Sequence, residues 1–158
     1  MIRPAQAADI PAIHQMTRDL AAYERGLHEV GATENDLRQA VLAAQPSVFA
    51  HVADDGGRAV GFALWFLSYS TWAGRHGIYL EDLYVKPEQR GHGHGRALLA
   101  ELARICVERG YQRLEWSVLD WNSPALRFYG SLGAVPMDEW TVHRLTGPAL
   151  RALAEGGR

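Results

Sequence analysis

Apolar residues recur along this chain with two periods, and the switches between them mark out its elements. Ile10, Ile13, Met16 and Leu20 stand three or four apart, which predicts a helix over 9–25. Asp9 can accept from the first-turn amides, Pro11 is tolerated there, and Gly26 ends the helix. Thr33-Glu34-Asn35-Asp36 reads as a capping box with the shorter carboxylate, opening a helix with Leu37, Ala40, Val41 and Ala44 that stops at Pro46. A short strand at Ile2 and Arg3 precedes both helices. Strands over 48–53 and 59–69, joined by Asp54-Asp55-Gly56-Gly57, read as a hairpin. The clearest helix spans 93–109, with Leu98, Leu99, Leu102, Ile105 and Cys106 on one face, Arg96, Glu101, Arg104 and Glu108 on the other, and Gly110 as its stop. A strand over 114–119 alternates Leu114, Trp116 and Val118 with polar residues. Asn122-Ser123-Pro124 opens a helix to 132, and the tail adds a strand near 141–145 and a short helix after Pro148. The order β-α-α-β-β-β-α-β-α-β describes a mixed α/β domain on one sheet.

The strand over 78–85 breaks the pattern. Ile78 and Leu80 share one parity, Leu83 and Val85 the other, so the apolar phase slips at Glu81-Asp82. Because strand side chains alternate with period two, keeping both pairs on one face needs an extra residue there, a β-bulge. Bulges re-aim side chains beside active sites, which makes these two adjacent carboxylates candidates for chemistry. A strand buried on both faces with no bulge is the alternative.

Composition narrows the function classes. The 158 residues are 47% hydrophobic and 22% charged, which fits one globular domain over 1–158. Sixteen basic against eighteen acidic side chains leave a formal charge of -2, so no chain-wide cationic field favours nucleic acid or anionic membrane. The longest apolar run, over 59–67, is well short of the ~20 residues of a membrane-spanning helix. Cys106 is the single cysteine, so no intrachain disulfide forms. The opening Met1-Ile2-Arg3-Pro4 lacks the layout of a secretory leader, and a reducing cytoplasm is the expected compartment.

Gln89-Arg90-Gly91-His92-Gly93-His94-Gly95-Arg96 lies between a strand and a helix. Its alternate glycines let backbone amides approach a ligand, and the helix N-terminus adds unpaired N–H groups, so a phosphate or pyrophosphate fits there. Arg90 and Arg96 strengthen the local positive field. A Walker loop is absent, and the dinucleotide fingerprint fails at position 96, where Arg replaces the required glycine. Glu115, twenty residues beyond Gly95, leaves a ribose acceptor open on spacing alone. His92 and His94 lack a third ligand at recognisable spacing, so no metal is expected.

The remaining pattern, Arg90-Gly91-His92-Gly93-His94-Gly95, resembles the acyl-CoA pyrophosphate loop of the GNAT N-acetyltransferases. Ile2-Arg3-Pro4-Ala5, Ala8-Asp9, Tyr23-Glu24, Tyr69-Ser70-Thr71-Trp72, Tyr79-Leu80-Glu81-Asp82, Leu119-Asp120-Trp121-Asn122, Phe128-Tyr129 and Gly133-Ala134 are similar to the diamine and thialysine acetyltransferase branch, over nearly the whole chain. Where polyamine enzymes have Asp-Pro-Trp, this chain has Ser70-Thr71-Trp72 and lacks one carboxylate for a distal ammonium. The resemblance implies a mixed, mostly antiparallel central sheet with a splayed strand and flanking helices, acetyl-CoA as donor, a small primary amine as acceptor, and a homodimer.

It also implies site roles. Leu83, Tyr84 and Val85 would lend backbone groups to the pantetheine and thioester, Gly91, His92, Gly93, His94, Gly95 and Arg96 with Arg90 would take the pyrophosphate, and Asn122, Ser123, Pro124 and Ala125 would complete the donor side. Tyr23, Glu24, Glu81, Asp82, Glu115, Trp116 and Ser117 would line the amine's path. A lysine-like amine has a pKa of roughly 10.4, so well under ~1% is nucleophilic at neutral pH and a base is needed. Glu81 is the candidate base with Asp82 its competitor, Leu83 N–H the oxyanion donor, and Tyr129 the acid for the departing thiolate. Attack is expected to be direct, without a Cys106 acyl carrier. A peptide acetyltransferase and a non-catalytic CoA-binding module are the alternatives.

Overall fold

The computed structural model describes residues 1–156. Met1–Leu119 form one compact unit and the chain from Asp120 forms a second. The first unit holds a five-stranded sheet of β1 (Ile2–Pro4), β2 (Phe49–Asp55), β3 (Arg58–Ser70), β4 (Arg75–Val85) and β5 (Leu114–Trp116), in that spatial order. All neighbours are antiparallel except β4 and β5, which run parallel. β2 and β3 are joined as predicted: Gly56 and Gly57 have φ of 60° and 83°, values suited to a tight hairpin, and Asp54 Oδ1 accepts from Gly57 N at 2.8 Å.

Helices cover both faces. α1 (Ile10–Tyr23) places Ile13 and Met16 against Ala50, Val52, Phe62 and Tyr84. α2 (Glu34–Val41) opens on the predicted capping box, Thr33 Oγ1 accepting from Asp36 N at 3.2 Å and Asp36 Oδ2 from Thr33 N at 2.8 Å. It stops at Val41, short of the predicted Pro46. α3 (His94–Arg109) buries Leu98, Leu99, Leu102, Ile105 and Cys106, and contacts β2, β3 and β4. Strand alternation puts Trp65, Ala63, His51, Ile78 and Leu80 on this second face. Burial of a side chain such as Phe62, 0% exposed, contributes roughly 1.5–3 kcal/mol.

The second unit carries α4 (Ser123–Ser131) and α5 (Gly147–Gly156). Two strand expectations are corrected. β5 ends at Trp116 rather than at 119, because its ladder ends where the β4 bulge turns the neighbouring backbone away. Residues 141–145 form no strand: they join no ladder among the described residues, and β-prone side chains without a backbone partner do not make one. Val142 is accordingly 82% exposed. No helix among the described residues is long and apolar enough to cross a membrane.

Candidate active site

The phase slip in β4 is a bulge. Trp65 pairs with Leu80 and Leu64 with Asp82, leaving Glu81 as the unmatched residue. Ile78, Leu80, Leu83 and Val85 therefore share one face, as the hydrophobic pattern required, while Asp82 follows Leu64 onto the face covered by α1. Glu81 is exposed. Pairing between β4 and β5 ends at Leu80–Trp116, so beyond the bulge residues 82–85 have a ladder partner in β3 and none in β5. The edge of β4 that carries Leu83, Tyr84 and Val85 is left without a β5 partner.

The bulge also sorts the carboxylates. Asp82 is half-buried, and desolvation, the Glu81 charge and the Glu24 charge together push its carboxyl up to about 6. Glu24, at the C-terminal cap of α1, is itself raised by burial. Three acids from two elements thus share one field, and a cation there would relieve it. Tyr23, also at the end of α1, is 43% exposed. Glu115 does not join this group as an unpaired acid: Arg113 Nε donates to its Oε1 at 2.8 Å. Ser117 Oγ lies 2.7 Å from the Tyr79 hydroxyl, and Trp116 pairs with Leu80 in the last rung of the parallel ladder.

Tyr79 and Arg113 were not among the sequence candidates. Tyr79 pairs with Phe66, on the same sheet face as Asp82, and its ring lies 5.2 Å from that of Phe66. The usable signal was the bulge itself, since one extra residue brings positions three apart onto a common face.

The glycine loop follows a 3₁₀ turn over Pro87–Gln89. Gly91 and Gly93 have φ of 80° and 81°, a region that favours glycine, and open space surrounds the position a Cβ would take at each. Ala97 N bonds Gly93 O at 2.9 Å, and Gly93 offers no capping side chain, so the amides of His94, Gly95 and Arg96 head α3 without one. Uncapped amides, the positive end of a 16-residue helix and room for a ligand fit the pyrophosphate of acetyl-CoA. Arg90 Nε donates to Val85 O at 3.0 Å, and its guanidinium sits 5.6 Å from the centre of the Tyr84 ring. His92 Nδ1 lies 3.3 Å from Gln89 O. Among the described residues no three His, Cys, Asp or Glu side chains converge as metal ligands. Burial raises the Cys106 thiol, which keeps it protonated.

In the second unit, Asn122 caps α4, its Oδ1 accepting from Ala125 N at 3.4 Å, with Ser123 and Pro124 in the first turn. α4 carries Phe128 and Tyr129, with ring centres 5.4 Å apart.

Known proteins resemble this chain over nearly its whole length. Thialysine N-epsilon-acetyltransferase from Bos taurus is 39% identical over 165 residues, covering 98% of this chain and 96% of that protein. The Mus musculus thialysine N-epsilon-acetyltransferase is 36% identical over 97% of this chain and 96% of its own length. L-ornithine N5-acetyltransferase of Arabidopsis thaliana is 32% identical over 96% and 86%. Among solved structures, an integron cassette protein from the V. cholerae mobile metagenome superposes with a TM-score of 0.80 at 26% identity, over 98% of this chain and 97% of the other. Residues 13–134 match the acetyltransferase (GNAT) family, so the chain belongs to that family and is an N-acetyltransferase.

Proposed function

We propose that this enzyme transfers the acetyl group of acetyl-CoA to a small primary amine, a thialysine- or lysine-like amino acid or a diamine, by direct attack in a ternary complex. The observation that carries the reading is the β4 bulge, which leaves Glu81 unmatched and exposed immediately before the 83–85 edge that has no β5 partner, with the glycine turn and the uncapped start of α3 following in the chain. Acetyl-CoA supplies an acetyl group activated as a thioester. The Gly91–Arg96 amides hold its pyrophosphate, and backbone groups of Leu83, Tyr84 and Val85 align the pantetheine. Asn122, Ser123, Pro124 and Ala125 complete the donor side. Tyr23, Glu24, Asp82, Glu115, Trp116 and Ser117 receive the amine. Glu81 takes the ammonium proton directly or through one water, Leu83 N–H donates to the acyl oxygen, and the Tyr129 hydroxyl protonates the departing sulfur.

Acidic residues gathered at the bulge favour an acceptor with a second positive charge, and the curated relatives named for thialysine and ornithine support an amino acid that carries one. The family match crosses the boundary between the two units, which supports their acting as one catalytic domain. A cytoplasmic homodimer completes the proposal.

Isothermal titration with CoA, followed by thiol release over thialysine, lysine, ornithine, a short diamine, a long polyamine and a lysine peptide, tests it. Saturable CoA heat and turnover with the small amines are expected. Absence of CoA heat at millimolar ligand removes the donor, and turnover of the peptide alone removes the acceptor class. Glu81→Gln should lower kcat by about 10²–10⁴ with CoA affinity retained, and an unchanged rate would dismiss Glu81 as base.

A further inference from the structure

Arg90 stands at the junction of the two donor-binding elements, and its contacts are those of a clamp. β4 ends at Val85, paired with Gly61. A Cβ on Gly61 would meet Tyr84 O at 2.9 Å and Val85 Cγ2 at 3.1 Å, so β3 presses closely on this end of β4. Beyond it, Lys86 N bonds Val60 O at 3.0 Å, the Pro87–Gln89 turn reverses the chain, and Arg90 N bonds Pro87 O at 3.2 Å. The next residue, Gly91, is left-handed and begins the amide cradle. The Arg90 side chain doubles back across this turn, with Nε on Val85 O at 3.0 Å and the guanidinium 5.6 Å from the Tyr84 ring centre. Tyr84 is 7% exposed and packs in the core cluster with Ile13 and Met16. The loop is thereby tied to the last two residues of β4 and, through Tyr84, to the packing of α1.

We propose that Arg90 is a positioning residue, holding the glycine loop at a fixed distance from the Leu83–Val85 edge through its Nε–H bond to Val85 O, rather than a counter-ion for the donor's phosphates. This deepens the acetyl-CoA reading and rests on it. One rigid donor must span both elements, so a loose junction lowers its affinity by making binding order the loop. Charge contributes less here, because Arg90 is exposed and screened by salt.

Side-chain chemistry separates the two roles. Gln carries its Nε2 on Cδ, where Arg carries Nε, so Arg90→Gln keeps the N–H and removes the charge. Arg90→Lys keeps the charge but puts a methylene where Nε stood. CoA titration of the full chain, steady-state kinetics and amide exchange of residues 91–96 in the unliganded enzyme should be compared for wild type, Arg90→Gln, Arg90→Lys and Arg90→Ala. The clamp predicts Arg90→Gln within about threefold of wild-type CoA affinity, and Arg90→Lys and Arg90→Ala about tenfold weaker, the scale of one lost hydrogen bond. Loop exchange should be faster in those two alone, with KM for acetyl-CoA raised and kcat at saturation retained. Wild-type affinity in Arg90→Lys with loss in Arg90→Gln overturns the proposal in favour of charge. Equal behaviour of all three variants, at wild-type or weakened affinity, also overturns it. Failure of the wild type itself to bind CoA is a different result, and it removes the donor reading on which the clamp depends.

Discussion

Replacing Asp82 with Asn should make the protein more stable at neutral pH, and the gain should disappear in acid. Burial and the charges of Glu81 and Glu24 raise the Asp82 carboxyl from 3.8 to about 6, so the folded chain holds a proton that the unfolded chain has released. Between those values the native state binds more protons than the unfolded state, and stability therefore falls as pH rises through the window and stays lower above it. At 1.36 kcal/mol per pH unit, that gap corresponds to about 2–3 kcal/mol borne by the ionised side chain at pH 7.5. Asn has nearly the shape of the protonated acid and never ionises. Asp82→Asn should accordingly raise the thermal midpoint by roughly 5–10 °C at pH 7.5 for a chain of this size, and by little at pH 4. Melting curves of both proteins at the two pH values, followed by far-UV circular dichroism, read this directly. A stability cost maintained for function predicts that the more stable variant also shows a raised KM for the amine. An equal gain at both pH values, or a loss at pH 7.5, would refute the burial and like-charge argument.

His51 should act in the opposite sense. Burial lowers its pKa, and Trp65 Nε1 donates to its Nδ1 at 3.1 Å, so the fold favours the neutral ring. Stability from this residue is present above the ordinary value of 6.5 and is lost as pH falls toward the lower native value. His51→Gln should flatten that part of a urea-midpoint profile between pH 7.5 and 5, and an unchanged slope would count against it. Gly93→Ala, at φ 81° with nothing within 4 Å of the new Cβ, should cost about 1–2 kcal/mol through backbone strain alone. Part of that should return in Gly93→Asn, and a wild-type melting point for the Ala variant would deny the left-handed loop. Phe62→Ala, at a 0% exposed core position, should cost roughly 3–5 kcal/mol in urea unfolding, and a loss below 1 kcal/mol would show that the α1 face is not tightly packed.

Much of this site is written locally in the sequence. The apolar phase of Ile78, Leu80, Leu83 and Val85 required an extra residue at Glu81-Asp82, since period two is a property of the strand backbone wherever it lies. The glycine alternation and the Thr33 and Asn122 caps were equally readable, because φ preference and capping act over a few residues. Tertiary structure decided the rest. Glu81 and Asp82 are neighbours with the same chemistry, yet which one turns onto the α1 face and feels the Glu24 charge depends on Leu64 and α1, far away in sequence. Glu115 carries the same charge but is held by Arg113, and Arg90 turns back to Val85 and Tyr84. The ends of strands also belong to this class: 117–119 and 141–145 have strand-like composition, but a ladder needs a partner backbone, and none meets them among the described residues. Spacing along the chain fixes element type and turn chemistry, whereas burial, pairing and electrostatic field are sums over neighbours that only the folded chain brings together.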